Sequence, residues 1–381
     1  MRRFAAAVIA PIALVTFAAL LWMWPSDGIE DPEPTGVEQI DGSVTGIESE
    51  PCAEALPDDV NGCGSARVTL DGDVPQDEIE VALPNGPGAP RIAQGDDVVL
   101  IEGEGPDGVV YAIVDHQRGT QLWLLAAAFA LALIAFGRWR GLTALAGLAV
   151  TFLLLVFFVV PAILAGQPPL LVAIVGSAAI MLTVLYLTHG FTLATTVAVL
   201  GTLSSLVLTG LLSALAVASM HLTGITDDIS SSVGVTHQVN MQGLLLAGIV
   251  IGSLGVLDDV TVTQSATVAE LARANPAYGH RQLYTAGARV GRAHIASVVN
   301  TIVLAYAGSS LPLMILIVAN SDSLGAVVTD QLIAQEIVRS AVATLGLVAA
   351  VPITTGLAAF TFRAAASAPA SAGQAAPQAG S

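Results

Sequence analysis

Long apolar runs separated by short polar turns dominate this chain. One ends at Trp24, and seven more cover about residues 121–136, 141–162, 168–187, 191–219, 241–257, 294–318 and 337–360. Each approaches the roughly 20 apolar residues that a helix needs to cross a hydrocarbon layer. The pattern predicts a mainly α-helical polytopic membrane protein with about eight transmembrane helices. The first run follows Arg2 and Arg3, is longer than the apolar core of a cleaved signal peptide, and carries Trp22 and Trp24 where an interfacial belt belongs. Residues 1–24 are therefore read as a retained N-terminal anchor.

Between the first two runs the period changes. The acidic, Pro/Gly-punctuated stretch SDGIEDPEPTG reads as a flexible tether. Five short β-prone segments follow at 42–48, 66–70, 78–83, 97–102 and 109–115. Ala66, Val68 and Leu70 alternate with Arg67 and Thr69, the two-residue period of a strand with one wet face. Residues 25–119 thus predict a small, acidic, all-β extracytoplasmic domain, barrel or sandwich. Residues 120–362 predict a seven-helix membrane domain, and the small-residue-rich segment 363–381 a disordered cytoplasmic tail.

Composition sharpens this division. Of 381 residues, 54% are hydrophobic and only 11% charged, too few charges for an ordinary soluble domain. The formal net charge of −17 is local, because 22 of the 30 acids lie between Asp27 and Asp115. There is no Lys, and 13 Arg carry the basic charge. Threading the chain from a cytoplasmic N-terminus puts nine Arg inside and four outside, in the sense of the positive-inside bias. Both termini then face the cytoplasm and residues 25–119 face outward. Cys52 and Cys63, the only cysteines, fall in that outward domain, where a disulfide is expected ahead of free thiols or a metal pair.

The densest candidate chemistry follows the run from Met241 to Leu257. Asp258 and Asp259 come first, then Thr261, Thr263, Ser265, Thr267 and Glu270. A carboxylate at mid-membrane costs about 3 kcal/mol, so this pair either ends a helix at the water interface or performs work inside. Helical spacing puts Asp259, Thr263 and Thr267 on one face leading toward Glu270, with Asp258 rotated by about 100°. Arg292 is a candidate counter-charge for Asp259 or Glu270. With Arg273, Arg281, Arg289, His280 and His294, it equally suits lipid headgroups and topology fixation. The next span holds Asn300, Thr301 and Tyr306, fit either for cross-helix hydrogen bonds or for a solute. Gly308 and Pro312 predict a kink there. Glu336 and Arg339, one turn apart, predict a local ion pair at the start of the last helix.

The stretches LYLTHGFTLATTVAVLGTL, GIVIGSLGVLDDVTVTQSATVAEL, VGRAHIASVVNTIVLAYAGSSLPLM and EIVRSAVATLGLVAAVPITT, in this order and spacing, resemble the YibE/F family of multispanning bacterial membrane proteins. The resemblance is strong from about Thr120 to Leu357 and weak over the outer domain. Gly252, Gly255 and Asp259 match a Gly-x-x-Gly-x-x-x-Asp segment. Glu270, Gly291, Arg292, Asn300, Thr301, Ala305, Tyr306, Gly308, Glu336 and Pro352 match further recurring positions, whereas Asp258 stands where an apolar residue, often Met, is expected. The resemblance implies a bacterial cytoplasmic membrane protein. Asp259, Thr263, Glu270, Arg292, Asn300, Thr301, Tyr306 and Glu336 are read as coupling or polar-path candidates. Gly252, Gly255, Gly291 and Gly308 are read as helix-packing positions.

No phosphate-cradling Gly-rich loop with its Lys, HExxH, nucleophile elbow or redox cysteine pair occurs in the sequence, so no cofactor and no nucleic-acid partner are expected. The leading expectation is a membrane transporter or exporter of a small solute or ion, coupled to protons or cations through Asp259. The alternative is a noncatalytic cell-envelope assembly or scaffolding module that works as a homo-oligomer or with an envelope protein. A membrane-embedded enzyme built from His221, His237, Asp227 and Asp228 at the outer face has the least support.

Overall fold

The structure, a computed structural model, describes residues 2–25, 39–50, 52, 60–71, 77–86, 88–105, 108–225, 228–320 and 324–367. The tether, most of the loop between the cysteines, Asp227, the Asp228 side chain, Asp322 and most of the C-terminal tail lie outside the described residues. The chain divides into two compact units, Glu30–Arg138 and Met1–Ile29 with Trp139–Ser381.

The smaller unit contains five strands: β1 (Gln39–Glu50), β2 (Cys63–Leu70), β3 (Glu78–Ala82), β4 (Asp97–Gly105) and β5 (Gly108–His116). They form one antiparallel sheet in the order β3-β2-β1-β4-β5. The sheet curls until its edge strands β3 and β5 approach each other. Alternation fills its interior: Ala66, Val68 and Leu70 of β2 are buried while Arg67 between them is exposed. Val44, Ile79, Val81, Val98, Leu100 and Ile113 complete the core. Gly64, at φ +132°, lets β2 begin against the Glu48 carbonyl, where a side chain would collide. Beside it, Cys52 and Cys63 stand at disulfide distance, with 4.9 Å between their Cα atoms. Both guanidinium Nη atoms of Arg118 reach the Asp115 carboxylate, at 2.5 and 2.7 Å, and hold its carboxyl down to about 2. This clamp closes β5 just before α2 (Gly119–Gly137), whose 19 apolar-rich residues include none that is buried.

The larger unit is a helical bundle. Its elements are α1 (Arg2–Trp22), α3 (Trp139–Leu154), a π-helical turn (Leu155–Val159) running into α4 (Val160–Leu164), α5 (Pro169–His189), α6 (Leu193–Ser219), α7 (Asp228–Thr236), α8 (Met241–Ala274), α9 (His280–Ser309), α10 (Leu311–Asn320), α11 (Leu324–Thr329) and α12 (Gln331–Ser367). Counting the continuous helix from Trp139 to Leu164 as one, seven helices among the described residues are long and apolar enough to cross a membrane. They follow the seven later apolar runs in order. The helix nearest the N-terminus adds a shorter apolar stretch, Ala6–Trp22.

α8 occupies the centre, packed by α5, α6, α9 and α12. Small residues permit this. Gly201 of α6 faces Thr354 of α12, and Gly346 of α12 faces Thr209 of α6, each so closely that no side chain would fit. Thr202 of α6 shares a 2.6 Å hydrogen bond with Thr261 of α8, and the Ser265 hydroxyl donates to the Ala194 carbonyl at 2.8 Å. The hydroxyls of α6 mostly serve packing: Thr202 and Thr209 are fully buried and donate back to Ala198 and Ser205. Deeper along the same seam, the Gln264 amide donates to Gly287 O (2.9 Å) and to the Thr355 hydroxyl (2.7 Å), tying α8 to α9 and α12.

Two boundaries differ from the apolar runs. α8 continues 17 residues past Leu257, to Ala274, because the Thr-, Ser- and Ala-rich continuation keeps the helical ladder and buries Thr261, Gln264 and Ser265 against its neighbours. The expected span 294–318 begins earlier, at His280, and breaks at Ser310 into α9 and α10. Pro312, lacking an N–H, cannot donate to Gly308 and so cannot extend the α9 ladder.

The four glycines read as packing positions divide sharply. A Cβ on Gly291 would lie 2.5 Å from Val351 Cγ1 and 2.7 Å from Gln264 Oε1, and one on Gly252 would lie 2.8 Å from the Tyr306 hydroxyl. A Cβ on Gly255 or Gly308 would meet nothing within 4 Å among the described residues, which show no close helix packing at either position. Gly291→Leu should therefore destabilise the folded protein by about 1–3 kcal/mol through overpacking, while Gly308→Ala should be neutral or stabilising by up to about 1 kcal/mol through helix propensity. Thermal unfolding of the purified variants checks this, and equal losses at both positions would contradict it.

Candidate functional site

Asp258 and Asp259 sit midway along α8. Asp258 is half-buried and Asp259 exposed, so the acid rotated away from the Thr263 face is the more enclosed of the two. Helix rotation explains it: Asp258 follows the fully buried Leu257 into the α5 side of the bundle. Both line one cavity of about 570 Å³ between α3, α5 and α8. Arg140 and Thr143 come from the start of α3, and Thr188 and His189 from the last turn of α5. The Thr188 hydroxyl meets His189 Nδ1 at 2.8 Å and Val184 O at 2.7 Å, fixing that imidazole at the rim.

The cavity thus collects two carboxylates, an imidazole, a guanidinium and two hydroxyls on a largely apolar wall of Val184, Leu185, Ala144 and Val262. Such a set can take up, hold and release a proton or a small cation, since a carboxylate in low dielectric is stabilised by whichever cation reaches it. Among the described residues, no three His, Cys, Asp or Glu side chains group closely enough to hold one metal ion.

The YibE/F-like protein family model matches residues 125–364, well over half of the chain. The chain belongs to the YibE/F family. No curated protein and no solved structure matches it.

In this YibE/F-family chain the residues read as one polar path do not converge. Asp259 lines the α3–α5–α8 cavity, but the strip expected to extend it leads along the outside: Thr263 is exposed and Glu270 is exposed. Glu270 pairs with Arg273 at 3.1 Å, its neighbour one turn on, and not with Arg292. Arg292 is exposed and has no ion-pair partner among the described residues, so the expected counter-charge for Asp259 or Glu270 is not realised. Asn300 and Thr301 are exposed, and the Thr301 hydroxyl donates to Ser297 O on its own helix. Neither lines the carboxylate cavity.

Tyr306 belongs to a different place. It lines a 320 Å³ cavity with Gly252, Ser253, Ala305 and Leu347, against a different face of α8 from the carboxylates. It also borders a 790 Å³, mainly apolar groove along α9–α12 that contains Glu336. The Glu336–Arg339 ion pair forms as expected, at 3.2 Å. Glu336 Oε2 and Arg339 Nε are buried and have no hydrogen-bond partner among the described residues.

Arg140, Thr143, Thr188 and His189 escaped the sequence reading, as did Gln264 and Thr355 in the helix seam. A signal existed for two of them: Arg140 and His189 are the charged or titratable residues nearest the ends of their apolar runs. Nothing in the sequence brings those ends to the level of Asp258.

Water-filled access is the testable property of this cavity. On the Cys52–Cys63 background, single cysteines at Asp258, Asp259 and Leu257 should react with a small water-soluble maleimide in the order 259, then 258, with Leu257 protected. Protection of both 258 and 259 would show the cavity to be closed to water.

Proposed function

We propose that this YibE/F-family chain is an integral membrane protein of eight spans that moves a small ion or solute, with the Asp258/Asp259 cavity as its proton- or cation-exchanging site. The observation that carries the reading is the gathering of Asp258, Asp259, His189 and Arg140 around one cavity where α3 begins and α5 ends, beside the middle of α8. Residues with these charges are costly in a membrane and collect where ions pass or bind. Asp259, foreseen as the coupling group, shares that role with Asp258, and Thr263 drops out because it faces away.

The eighth span is α1, whose Ile9 is buried in the bundle core. The nine-to-four Arg division supports an orientation with both termini in the cytoplasm and residues 25–119 outside. In that orientation α3 starts and α5 ends on the cytoplasmic side, so the carboxylate cavity opens toward the cytoplasm. The Tyr306 cavity and the Glu336 groove lie toward the other end of α8.

One observation favours the envelope-module reading instead. Most buried polar side chains, Thr202, Thr209, Thr261, Gln264 and Thr355 among them, are engaged in helix packing. The two readings separate on reconstitution. Wild type, Asp258→Asn and Asp259→Asn at equal folded abundance are placed in liposomes with a pH gradient, and proton and cation fluxes are followed. Transport requires flux in wild type and a loss of at least about tenfold in one or both variants, the scale of one lost charge-assisted interaction. No flux in wild type over a broad panel of ions and solutes moves the assignment to the envelope module, and equal flux in all three proteins takes the two carboxylates out of the transport path.

Topology has its own check. Single cysteines at Gly137 and Gly234, on the same background, should label from the cytoplasmic and the external side respectively. Reversed labelling at both overturns the orientation.

A further inference from the structure

The start of α9 gathers positive charge that neither the carboxylate cavity nor helix packing uses. α9 contains Arg281, Arg289 and Arg292 and no Asp or Glu, in a chain whose formal net charge is −17. Arg281, Thr285 and Arg289 follow at four-residue intervals, and Arg292 lies a further turn along, so all four share one face of the helix. All four are exposed. None of the three arginines has an ion-pair partner among the described residues, although Arg273, a short way upstream, is neutralised by Glu270.

This face is concave. Arg281 and Arg289 line a 410 Å³ cavity together with Tyr278, Gln282, Thr285 and Ala286, and no carboxylate lines it. Gln282 is held in place: its Oε1 accepts the Gly279 N–H at 2.9 Å, which leaves its amide N–H groups free to donate. The Thr285 hydroxyl donates to Arg281 O at 2.8 Å and fixes its side chain against the helix. Tyr278 is placed by its own N–H, which donates to Asn275 O at 3.0 Å. Two arginines, a glutamine and a tyrosine thus line the cavity, and all four side chains carry hydrogen-bond donors. Two guanidinium groups on one cavity suit an anion with several oxygens and more than one negative charge, which guanidinium binds in bidentate fashion.

We propose that the Tyr278–Arg289 cavity on α9 is a binding site for a phosphate group, with Arg281 and Arg289 as its charged ligands. It stands apart from the carboxylate cavity and does not depend on transport. The phosphate can belong to a free anion or to the headgroup of an acidic lipid, and these two sources are separable by experiment.

The full chain is purified in a neutral detergent free of phospholipid. Orthophosphate and pyrophosphate are titrated by calorimetry, and retention of phosphatidylglycerol against phosphatidylcholine is measured by native mass spectrometry. Wild type is compared with Arg281→Gln/Arg289→Gln and with a charge-matched control, Arg3→Gln/Arg138→Gln. Unliganded thermal stability of all three verifies folding. The expected result is saturable binding by wild type that the site variant weakens at least about tenfold, as the loss of charge-assisted bonds requires, with the control unchanged. Binding of the inorganic anions identifies a free phosphate ligand, and selective retention of the acidic lipid alone identifies a headgroup. Absence of both, retention of binding by the site variant, or an equal loss in the control would overturn the proposal.

Discussion

The structure depends on how α8 reconciles length, burial and charge. A helix packed by four others has little access to water, so every polar group along it must find a partner, a cavity or an edge. α8 uses all three. Thr261 and Ser265 bond to α6, Gln264 to α9 and α12, and Glu270 escapes to the exposed end with Arg273. Among the described residues the side chains of Asp258 and Asp259 make no ion pair, and the bundle leaves a cavity beside them. The close contacts of Gly201, Gly346 and Gly291 with the opposing helices are the other half of the arrangement, since they let α6, α9 and α12 approach near enough to complete these bonds.

Much of this fold was legible in the sequence because its periods are strong. Seven apolar runs became seven long helices in order, and the alternation of Ala66, Val68 and Leu70 became the inner face of β2. Boundaries were less legible where polarity and helix formation part company. Hydropathy ends the run at Leu257, yet small and hydroxyl residues continue α8 to Ala274. Hydropathy carries the next run across Ser310, yet Pro312 divides it.

The site was legible only in part, for a geometric reason. Local spacing identified the carboxylate pair and the Glu336–Arg339 pair, both of which are contacts or neighbours within one helix. It could not tell which face of α8 meets α5. The strip from Asp259 through Thr263 was therefore read as a polar path, although Asp258 is the more enclosed of the two acids. Arg140 and His189 join the cavity through tertiary packing, from positions 118 and 69 residues before Asp258 in the chain. Gln264 was passed over because a lone amide among hydroxyls carries no pattern, although it holds three helices together.

The proposal that Asp258 and Asp259 exchange ions as one site predicts that their carboxyl groups respond together to pH and cations. Infrared difference spectroscopy on the reconstituted full chain addresses it most directly, by recording the carboxyl and carboxylate bands as pH or a monovalent cation is varied. A shared site gives a reversible change in those bands that diminishes in Asp258→Asn and in Asp259→Asn alike, with each substitution shifting the response of the remaining acid. Bands indifferent to pH and cation, or a response identical in wild type and both variants, would contradict it.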